Sequence, residues 1–452
     1  RRERQLPRMG SVASPETICA LASGHPPSAI AIIRVSGPAV LPWLSECVPS
    51  FKKQPRMVQL LRIRDLGGAE IDRGLVYWMP SPDSYTGEDV LELMLHGGPG
   101  VVTHALDALT SFRGIRLAQA GEFTRRAFEA GKLDLTQAEG IADLIEAESR
   151  GQKDQALSQL GGALRDLYGG WHADLLRCLA LLEVSVDFPD EADTPDLVDR
   201  PVLEALGGLI PKLEHALQDG ELDQRIREGF RVAIIGSPNV GKSTLLNSLA
   251  RREAAIVTDI PGTTRDVIEV RTRLAGHIVW FQDTAGIRAS KDPVEAEGIR
   301  RSEAVARAAD IRLYLTDGAS APPLTHLRQS GDLILRTKAD LGINPPLTSG
   351  ERAISAKLDA GVGDLEGSIG DLVSAKVGNR SSPVLTRKRH RDAIERALSE
   401  LIEARAAIED GLGAELAAEN VRLASRYLEG LVGRIDVEDV LGDVFASFCI
   451  GK

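Results

Sequence analysis

Cysteine is scarce, with four in 452 residues (Cys19, Cys47, Cys178 and Cys449) and no C-x-x-C pair. That spacing argues against a disulfide framework and against a zinc site, and it suits a reducing cytoplasm. Long apolar runs are missing too. No stretch reaches the roughly 18 residues that a membrane helix needs, so no membrane span is expected. The opening Arg1-Arg-Glu-Arg-Gln-Leu-Pro-Arg8 is basic but lacks the apolar core of a secretory signal. It is expected to be a disordered or artefactual tail, with Met9 as the start and the protein cytoplasmic. Positive charge is in deficit: 54 Lys and Arg stand against 65 Asp and Glu, a net charge of −11. A protein that coats nucleic acid indiscriminately is thereby excluded, and any RNA contact must be local. Internal repeats and low-complexity segments are absent, as is a KH-like G-x-x-G with basic flanks. One basic run, Arg387-Lys-Arg-His-Arg391, reads as the solvated start of a helix rather than a phosphate contact, because Ile394, Leu398 and Ile402 follow at helical spacing.

What remains is an ordinary globular composition, 43% hydrophobic and 26% charged, long enough for two to four domains. Within it, Gly236-Ser-Pro-Asn-Val-Gly-Lys-Ser243 matches G-x-x-x-x-G-K-[ST] at every fixed position. Such a loop turns backbone N–H groups onto phosphate oxygens, its lysine adds charge, and the final hydroxyl holds Mg²⁺. The context fits: Phe230-Arg-Val-Ala-Ile-Ile235 reads as the preceding strand, and Thr244-Leu-Leu-Asn-Ser-Leu249 as the helix whose N-terminus favours anions.

Three further segments follow in the order a guanine-nucleotide domain needs. The predicted strand His277–Gln282 leads into Asp283-Thr-Ala-Gly286, where a carboxylate reaches the Mg²⁺ shell and a glycine N–H senses the γ-phosphate. The predicted strand Asp332–Arg336 leads into Thr337-Lys-Ala-Asp340, whose carboxylate accepts from the guanine N1–H and amine, a donor pair that adenine lacks. Ser355-Ala-Lys357 supplies an amide for guanine O6. Thr337 stands where such motifs usually carry Asn, a change expected to weaken the tie to the phosphate loop without altering base choice. Between the first two segments runs Ile256-Val-Thr-Asp-Ile-Pro-Gly-Thr-Thr-Arg-Asp266, a polar loop suited to the γ-phosphate, with Thr264 as its Mg²⁺ ligand. The residue after Gly286 is Ile287, which cannot hold the attacking water as a glutamine does. Catalysis then falls to a cation, another residue or a partner, and Asn239 is placed to hold a monovalent cation.

Residues up to about 130 mix strand and turn, as in Ala29–Val35 and Val90–Leu95, and suggest a small α+β domain. From Thr136 the texture is helical to about 227, with Thr136-x-x-Glu139 as an expected capping box and Ala138, Ile141 and Ile145 as an apolar face. Helical texture resumes from about 384 to 450. The expected architecture is an α+β N-terminal domain over 9–132, an α-helical domain made of 133–227 and 384–452, and an inserted α/β P-loop (Ras-like) GTPase domain over 228–383.

Four separated segments carry a resemblance to a known family: Glu16-Thr-Ile-Cys-Ala-Leu-Ala-Ser-Gly24 with Ile33-Arg-Val-Ser-Gly37; Thr86-Gly-Glu-Asp-Val-Leu-Glu-Leu93; Gly121-Glu-Phe-Thr-Arg-Arg-Ala-Phe128 with Gly131-Lys-Leu-Asp-Leu135; and the terminal Phe448-Cys-Ile-Gly-Lys452. With these the chain, apart from its first eight residues, resembles the tRNA modification GTPases of the MnmE (TrmE) family. The resemblance implies an N-terminal domain that dimerises and binds a tetrahydrofolate one-carbon donor such as 5,10-methylenetetrahydrofolate. It implies a potassium-stimulated G domain and a flavin-dependent partner, with which the homodimer adds an aminomethyl or carboxymethylaminomethyl group to C5 of the wobble uridine of tRNA.

Carried over residue by residue, folate contacts fall on Arg34, Glu92 and Lys132, with Lys452 nearby. GTP contacts fall on Asn239, Val240, Gly241, Lys242, Ser243 and Thr244; on Thr258, Asp259, Ile260, Pro261, Gly262, Thr263 and Thr264; on Asp283, Thr284, Ala285 and Gly286; on Thr337, Lys338, Ala339 and Asp340; and on Ser355, Ala356 and Lys357. Magnesium maps to Ser243 and Thr264, and potassium to Asn239, Thr258, Ile260 and Thr263. Glu295 matches the residue that positions water indirectly and, with Lys242, makes the catalytic pair. Where the family commonly carries a glycine-rich stretch, this chain has His25-Pro-Pro-Ser-Ala29. The rival reading is an RNA-binding regulatory or ribosome-assembly GTPase without modification activity, which leaves the terminal Cys-Ile-Gly-Lys unexplained.

Overall fold

A computed structural model describes residues 16–187, 194–252, 255–256, 269–284, 294–319, 321–342, 346–378, 385–433, 441–442, 444–445, 448 and 450–451. The chain divides into two compact units, one drawn from residues 1–142, 159–207 and 396–452 and the other from 143–158 and 208–395.

The first unit opens with β1 (Thr17–Leu21), β2 (Ser28–Ser36), α1 (Val40–Cys47), β3 (Val58–Arg64), β4 (Glu70–Met79), β5 (Val90–Gly97), α2 (Pro99–Thr110), β6 (Ile115–Leu117) and α3 (Glu122–Glu129). The strands form a sheet of order β3-β4-β5-β2-β1-β6, antiparallel except where β1 meets β6. Period-two alternation fixes its faces. Ile33, Val35, Leu91, Leu93, Val76 and Ile63 point inward and pack with Trp43 and Leu44 of α1 and Ala105 and Leu109 of α2. The register Ile32↔Met94↔Leu75↔Leu60 and Arg34↔Glu92↔Tyr77↔Val58 puts those residues on the opposite face. There Leu60 is 71% and Ile30 61% exposed.

Next come α4 (Leu135–Glu146), α5 (Arg150–Leu160), α6 (Ala163–Asp187) and α7 (Thr194–Glu228). A capping box does open α4, but two residues earlier than expected. Asp134 Oδ1 accepts from Gln137 N at 2.8 Å while Gln137 Oε1 accepts from Asp134 N at 3.0 Å. Thr136 and Glu139 are instead fully buried inside the helix, and Thr136 donates to Asp134. On the predicted apolar face Ala138 is buried and Ile141 partly so, but Ile145 is 44% exposed.

The second unit is built on β7 (Phe230–Gly236), α8 (Lys242–Ala250), β8 (Ala255–Ile256), β9 (Glu269–Leu274), β10 (His277–Asp283), α9 (Val294–Ala308), β11 (Ile311–Thr316), β12 (Leu333–Arg336), β13 (Glu351–Ala353) and α10 (Val362–Val377). Its sheet has the order β13-β12-β11-β7-β10-β9-β8. The strands from β13 to β10 run parallel, so their carboxyl ends gather at one edge, where α/β sheets bind ligands. β11 is buried throughout and β7 at every residue but Arg231, as strands covered on both faces are.

The chain ends with α11 (Lys388–Glu409) and α12 (Ala414–Val432). The basic run does begin α11, but it is not simply solvated. His390 is fully buried, and Arg387 lies 2.7 Å from Asp143. In the first unit Val444, Phe445 and Phe448 pack on Leu135 and Ala138 of α4. Gly121 adopts φ +68 under Phe445, whose carbonyl oxygen would stand 2.8 Å from a Cβ there.

Candidate functional site

Three motifs converge at the carboxyl ends of β7, β10 and β12. The phosphate loop leaves β7 at Gly236, where a Cβ would stand 2.7 Å from Val240 Cγ1 and 2.9 Å from Leu315 O, so only glycine fits. Asn239 and Gly241 have φ of 61° and 111°, which turn the loop into α8. Lys242 is buried and folds back, its Nζ donating to Gly236 O at 2.7 Å and Ser237 O at 2.9 Å. Burial holds its pKa below the usual lysine value, against the pull of Asp283. The loop thus carries a cation whose donors are lent to backbone carbonyls that a phosphate can displace. Ser243 and Thr244 are exposed in the first turn of α8, and the Asn239 carboxamide has no hydrogen-bond partner among the described residues.

Asp283 ends β10 opposite Ile234 of β7, and the next residue, Thr284, donates from both N and Oγ1 to Ile234 O. The base-reading segments are joined to one another. Ser355 Oγ donates to Asp340 Oδ1 at 2.6 Å, Ala339 N donates to Ile354 O, and Ser355 and Ala360 exchange backbone bonds. The Ser355 bond holds the Asp340 carboxyl below its ordinary pKa, ready to accept from a ligand's N–H pair. Lys338 sits in a left-handed turn at φ 56°, and Lys357 and Ala356 follow Ser355.

Thr337 departs from expectation. Its hydroxyl donates to Val240 O inside the phosphate loop at 2.6 Å, in a site only 7% exposed. The tie that Asn was expected to supply is made by the shorter side chain, because the second glycine brings the loop within reach: a Cβ on Gly241 would lie 3.8 Å from Thr337 Cβ.

Several predicted positions lie outside the described residues: Thr258, Asp259, Ile260, Pro261, Gly262, Thr263 and Thr264, Ala285, Gly286 and Ile287, Cys449 and Lys452. Glu295 falls in the first turn of α9.

The other predicted cluster forms on the outward face of the first sheet. Arg34 donates from Nε and NH2 to Glu92 Oε1 at 2.9 and 2.8 Å, directly across β2 and β5. The guanidinium lies 5.4 Å from the Tyr85 ring centre and 5.7 Å from that of Phe123. Among the described residues Glu92 Oε2 accepts nothing. A carboxylate oxygen free beside aromatic walls fits the amide and amino edge of a pterin. Lys132 is exposed, its Cε 3.6 Å from the position a Cβ would take on Gly87, in the turn that follows Tyr85. The C-terminus arrives at the same sheet. Ile450 bridges to Ala120, and Gly451 is so close to Leu21 O that a Cβ would collide with it at 2.1 Å.

A buried charge network behind this cluster carried no functional reading in the sequence. Arg126, 5% exposed, bonds Glu88 at 2.9 Å and Glu122 at 3.1 Å, and Glu122 also takes a fork from Arg116. Burial raises the Glu122 pKa, but Arg116, Gln119 N–H and Arg126 outweigh it and hold it at about 2. Ser36 joins through Glu88 and Thr86. The signal was present in the Thr86-Gly-Glu and Gly121–Phe128 stretches, but which charges meet there is set by strand register.

Two family models match the chain. The family model described as GTP-binding protein TrmE N-terminus matches residues 17–132, and the one described as MnmE helical domain matches 135–449. A tRNA modification GTPase MnmE of Hyphomonas neptunium is 52% identical over 98% of this chain and all of its own length. Relatives of the same name from Maricaulis maris and Phenylobacterium zucineum are each 48% identical, over 96% and 97% of this chain and 99% and 100% of their own. Among solved structures, Era of Aquifex aeolicus is 24% identical over 39% of this chain and 66% of its own, with a TM-score of 0.26.

Proposed function

The chain belongs to the MnmE family of tRNA modification GTPases, and we propose that it works with a flavin-dependent partner to add a carboxymethylaminomethyl or aminomethyl group to C5 of the wobble uridine. The one-carbon unit comes from 5,10-methylenetetrahydrofolate or a related tetrahydrofolate, and potassium-stimulated GTP hydrolysis drives the cycle. Its domains are the folate-binding and dimerising region 9–132, the discontinuous helical region 133–227 with 384–452, and the inserted G domain 228–383. It acts in the cytoplasm; no helix among the described residues is long and apolar enough to cross a membrane.

The observation that carries the folate reading is the Arg34–Glu92 pair. Two charged groups lie 2.8 Å apart at 18% and 15% exposure, the guanidinium over two aromatic rings, and among the described residues one carboxylate oxygen is unused. Glu92, held by Arg34, grips the pterin edge, while Lys132 and Lys452 serve the carboxylate tail. A bound tetrahydrofolate supplies the one-carbon unit. The chain's own residues orient it, with Arg34 fixing the Glu92 carboxylate.

The same outward face bears Val58, Leu60 and Leu75 exposed on neighbouring strands, with Ile30 exposed beyond β5, an apolar surface suited to a second copy of the chain, and this supports the homodimer.

In the G domain Lys242 and the N–H groups of the loop hold the β- and γ-phosphates, Asp340 and Ser355 read guanine, and Glu295 positions the attacking water. The hard oxygens of Ser243, Asp283 and Thr264 suit Mg²⁺, and the Asn239 carboxamide with Thr258, Ile260 and Thr263 suits K⁺. Potassium there supplies positive charge for the developing transition state.

Nucleoside analysis of tRNA from cells lacking this protein, and from cells rescued with Glu92→Ala, tests the reading. Loss of the wobble modification in both is expected. Intact modification in both rejects it.

A further inference from the structure

The geometry points to Glu148 and Arg271 as positioning residues for GTP hydrolysis, a pair through which the segment 143–158 holds the β9–β10 ribbon and, with it, Asp283. The ribbon is tightly built. Ala275 and Gly276 make a two-residue turn with φ of 48° and 80°, the form that matches strand twist, and Arg271 pairs directly with Trp280. Arg271 Cζ lies 5.1 Å from the Trp280 ring centre. Trp280 Nε1 in turn donates to Glu228 O, at the end of α7. Three residues beyond Trp280 the strand ends at Asp283, beside the phosphate loop.

The segment 143–158 docks on the flank of that ribbon in two places. Glu148 Oε2 lies 2.7 Å from Arg271 NH1, with Arg271 only 16% exposed. Gly151 N donates to Gly276 O at 2.9 Å, so closely that a Cβ on Gly151 would stand 2.5 Å from His277 Nδ1. Glu148 is itself well anchored. Its N–H and that of Ser149 donate to Gln152 Oε1, and Gln152 Nε2 donates to Arg227 O at 2.7 Å. A cavity of about 620 Å³ opens beside the pair, lined by Asp143, Glu148, Gln152, Arg227 and Arg271 among others. The two charges therefore have room to part without a clash, which a contact serving only as packing does not need.

The chain enters this segment from α4 and leaves it through α5, so both ends of the segment are covalently continuous with residues of the other compact unit. A ribbon that shifts when Asp283 engages nucleotide must either carry Glu148 with it or break the pair. The half-buried setting makes breaking costly, since each charge then loses its counter-ion away from bulk water. Hydrolysis and the placement of the segment 143–158 are thereby coupled, with this ion pair as the charged member of the contact.

The inference rests on the reading that Asp283 serves the nucleotide's magnesium, and the test separates the two. GTP hydrolysis is measured for the full chain and for Glu148→Gln, Arg271→Gln, their double variant, the exchange Glu148→Arg with Arg271→Glu, and Asp283→Ala, with a melting curve for each. Each single variant is expected to lower kcat by about 5–20-fold with KM for GTP within about twofold of the parent. The double is expected to match the singles rather than multiply them, and the exchange to recover most of the loss. Should Arg271→Gln fail to fold, Glu148→Gln and Glu148→Asp carry the comparison, the Asp variant retaining more activity. If Asp283→Ala hydrolyses GTP like the parent, the magnesium reading fails. If that variant is inactive while Glu148→Gln keeps the parent kcat, or loses KM and melting temperature in step with kcat, the positioning role is overturned.

Discussion

Replacing Thr337 with valine removes one hydroxyl and little else. In the folded chain that hydroxyl donates to Val240 O at 2.6 Å, with Thr316 O a poorer alternative at 3.4 Å, and the site is 7% exposed. The methyl that replaces it fills the same space but leaves the Val240 carbonyl without its side-chain donor. Such a loss in a buried setting costs about 1–3 kcal/mol. Part of that falls on folding stability. The rest falls on nucleotide binding, because Val240 lies between Asn239 and Gly241, the two residues whose positive φ shape the phosphate loop, and a loop released there must be ordered again by the ligand. If half of a 1–3 kcal/mol cost is felt in binding, the Kd for GDP rises by about 2–12-fold. Titration with a fluorescent GDP analogue, together with melting curves of the unliganded protein, measures both parts. Thr337→Ser, which keeps the hydroxyl, is expected to bind like the parent. A valine variant with parental Kd and parental melting temperature refutes the argument, since the bond would then contribute nothing.

Hydrolysis is expected to be faster in potassium than in sodium, by up to roughly 10³-fold if the ion does the work of an arginine finger, and Asn239→Ala is expected to erase the difference; equal parental rates in the two salts reject the cation role. Glu122 is held at about pH 2 by Arg116, Gln119 N–H and Arg126 against its burial. Its folded pKa is depressed, so its contribution is present above the ordinary glutamate range and is lost as pH falls toward 2. Glu122→Gln should therefore destabilise the protein at neutral pH by on the order of 2 kcal/mol, a figure discounted because Arg116 is 38% exposed. The gap to the parent should close in denaturant melts as the pH is lowered from about 4.5, and a pH-independent gap counts against the network. Asp134→Ala removes the capping-box acceptor of α4 and should cost about 1 kcal/mol, whereas Thr136→Ser, at the position first read as the cap, should cost less. Denaturant unfolding measures the Asp134 cost, and parental stability for Asp134→Ala counts against that cap.

Much of the nucleotide site was legible because its demands are local. Gly236 has no room for a Cβ, Gly241 needs a positive φ, and each motif follows a buried strand whose apolar run is visible in the sequence. The order of parts was likewise plain from residue types alone. The capping box was misplaced by two residues because Asp134-x-x-Gln137 and Thr136-x-x-Glu139 overlap, and only burial shows that the second pair faces the core. The basic run was read as solvated, since spacing shows where a helix starts but not that Asp143 waits for Arg387.

The phosphate loop, the strands that feed it and the family to which the chain belongs are legible in consecutive residues, because backbone conformation and amphipathic period are written there. Tertiary structure decided which side chains meet. Arg34 reaches Glu92 across 58 residues and Thr337 reaches Val240 across 97. Arg271 meets Glu148 only once a helical segment has docked on the ribbon. Contacts of that kind depend on strand register and on packing distance, which a shift of one residue or one ångström would undo.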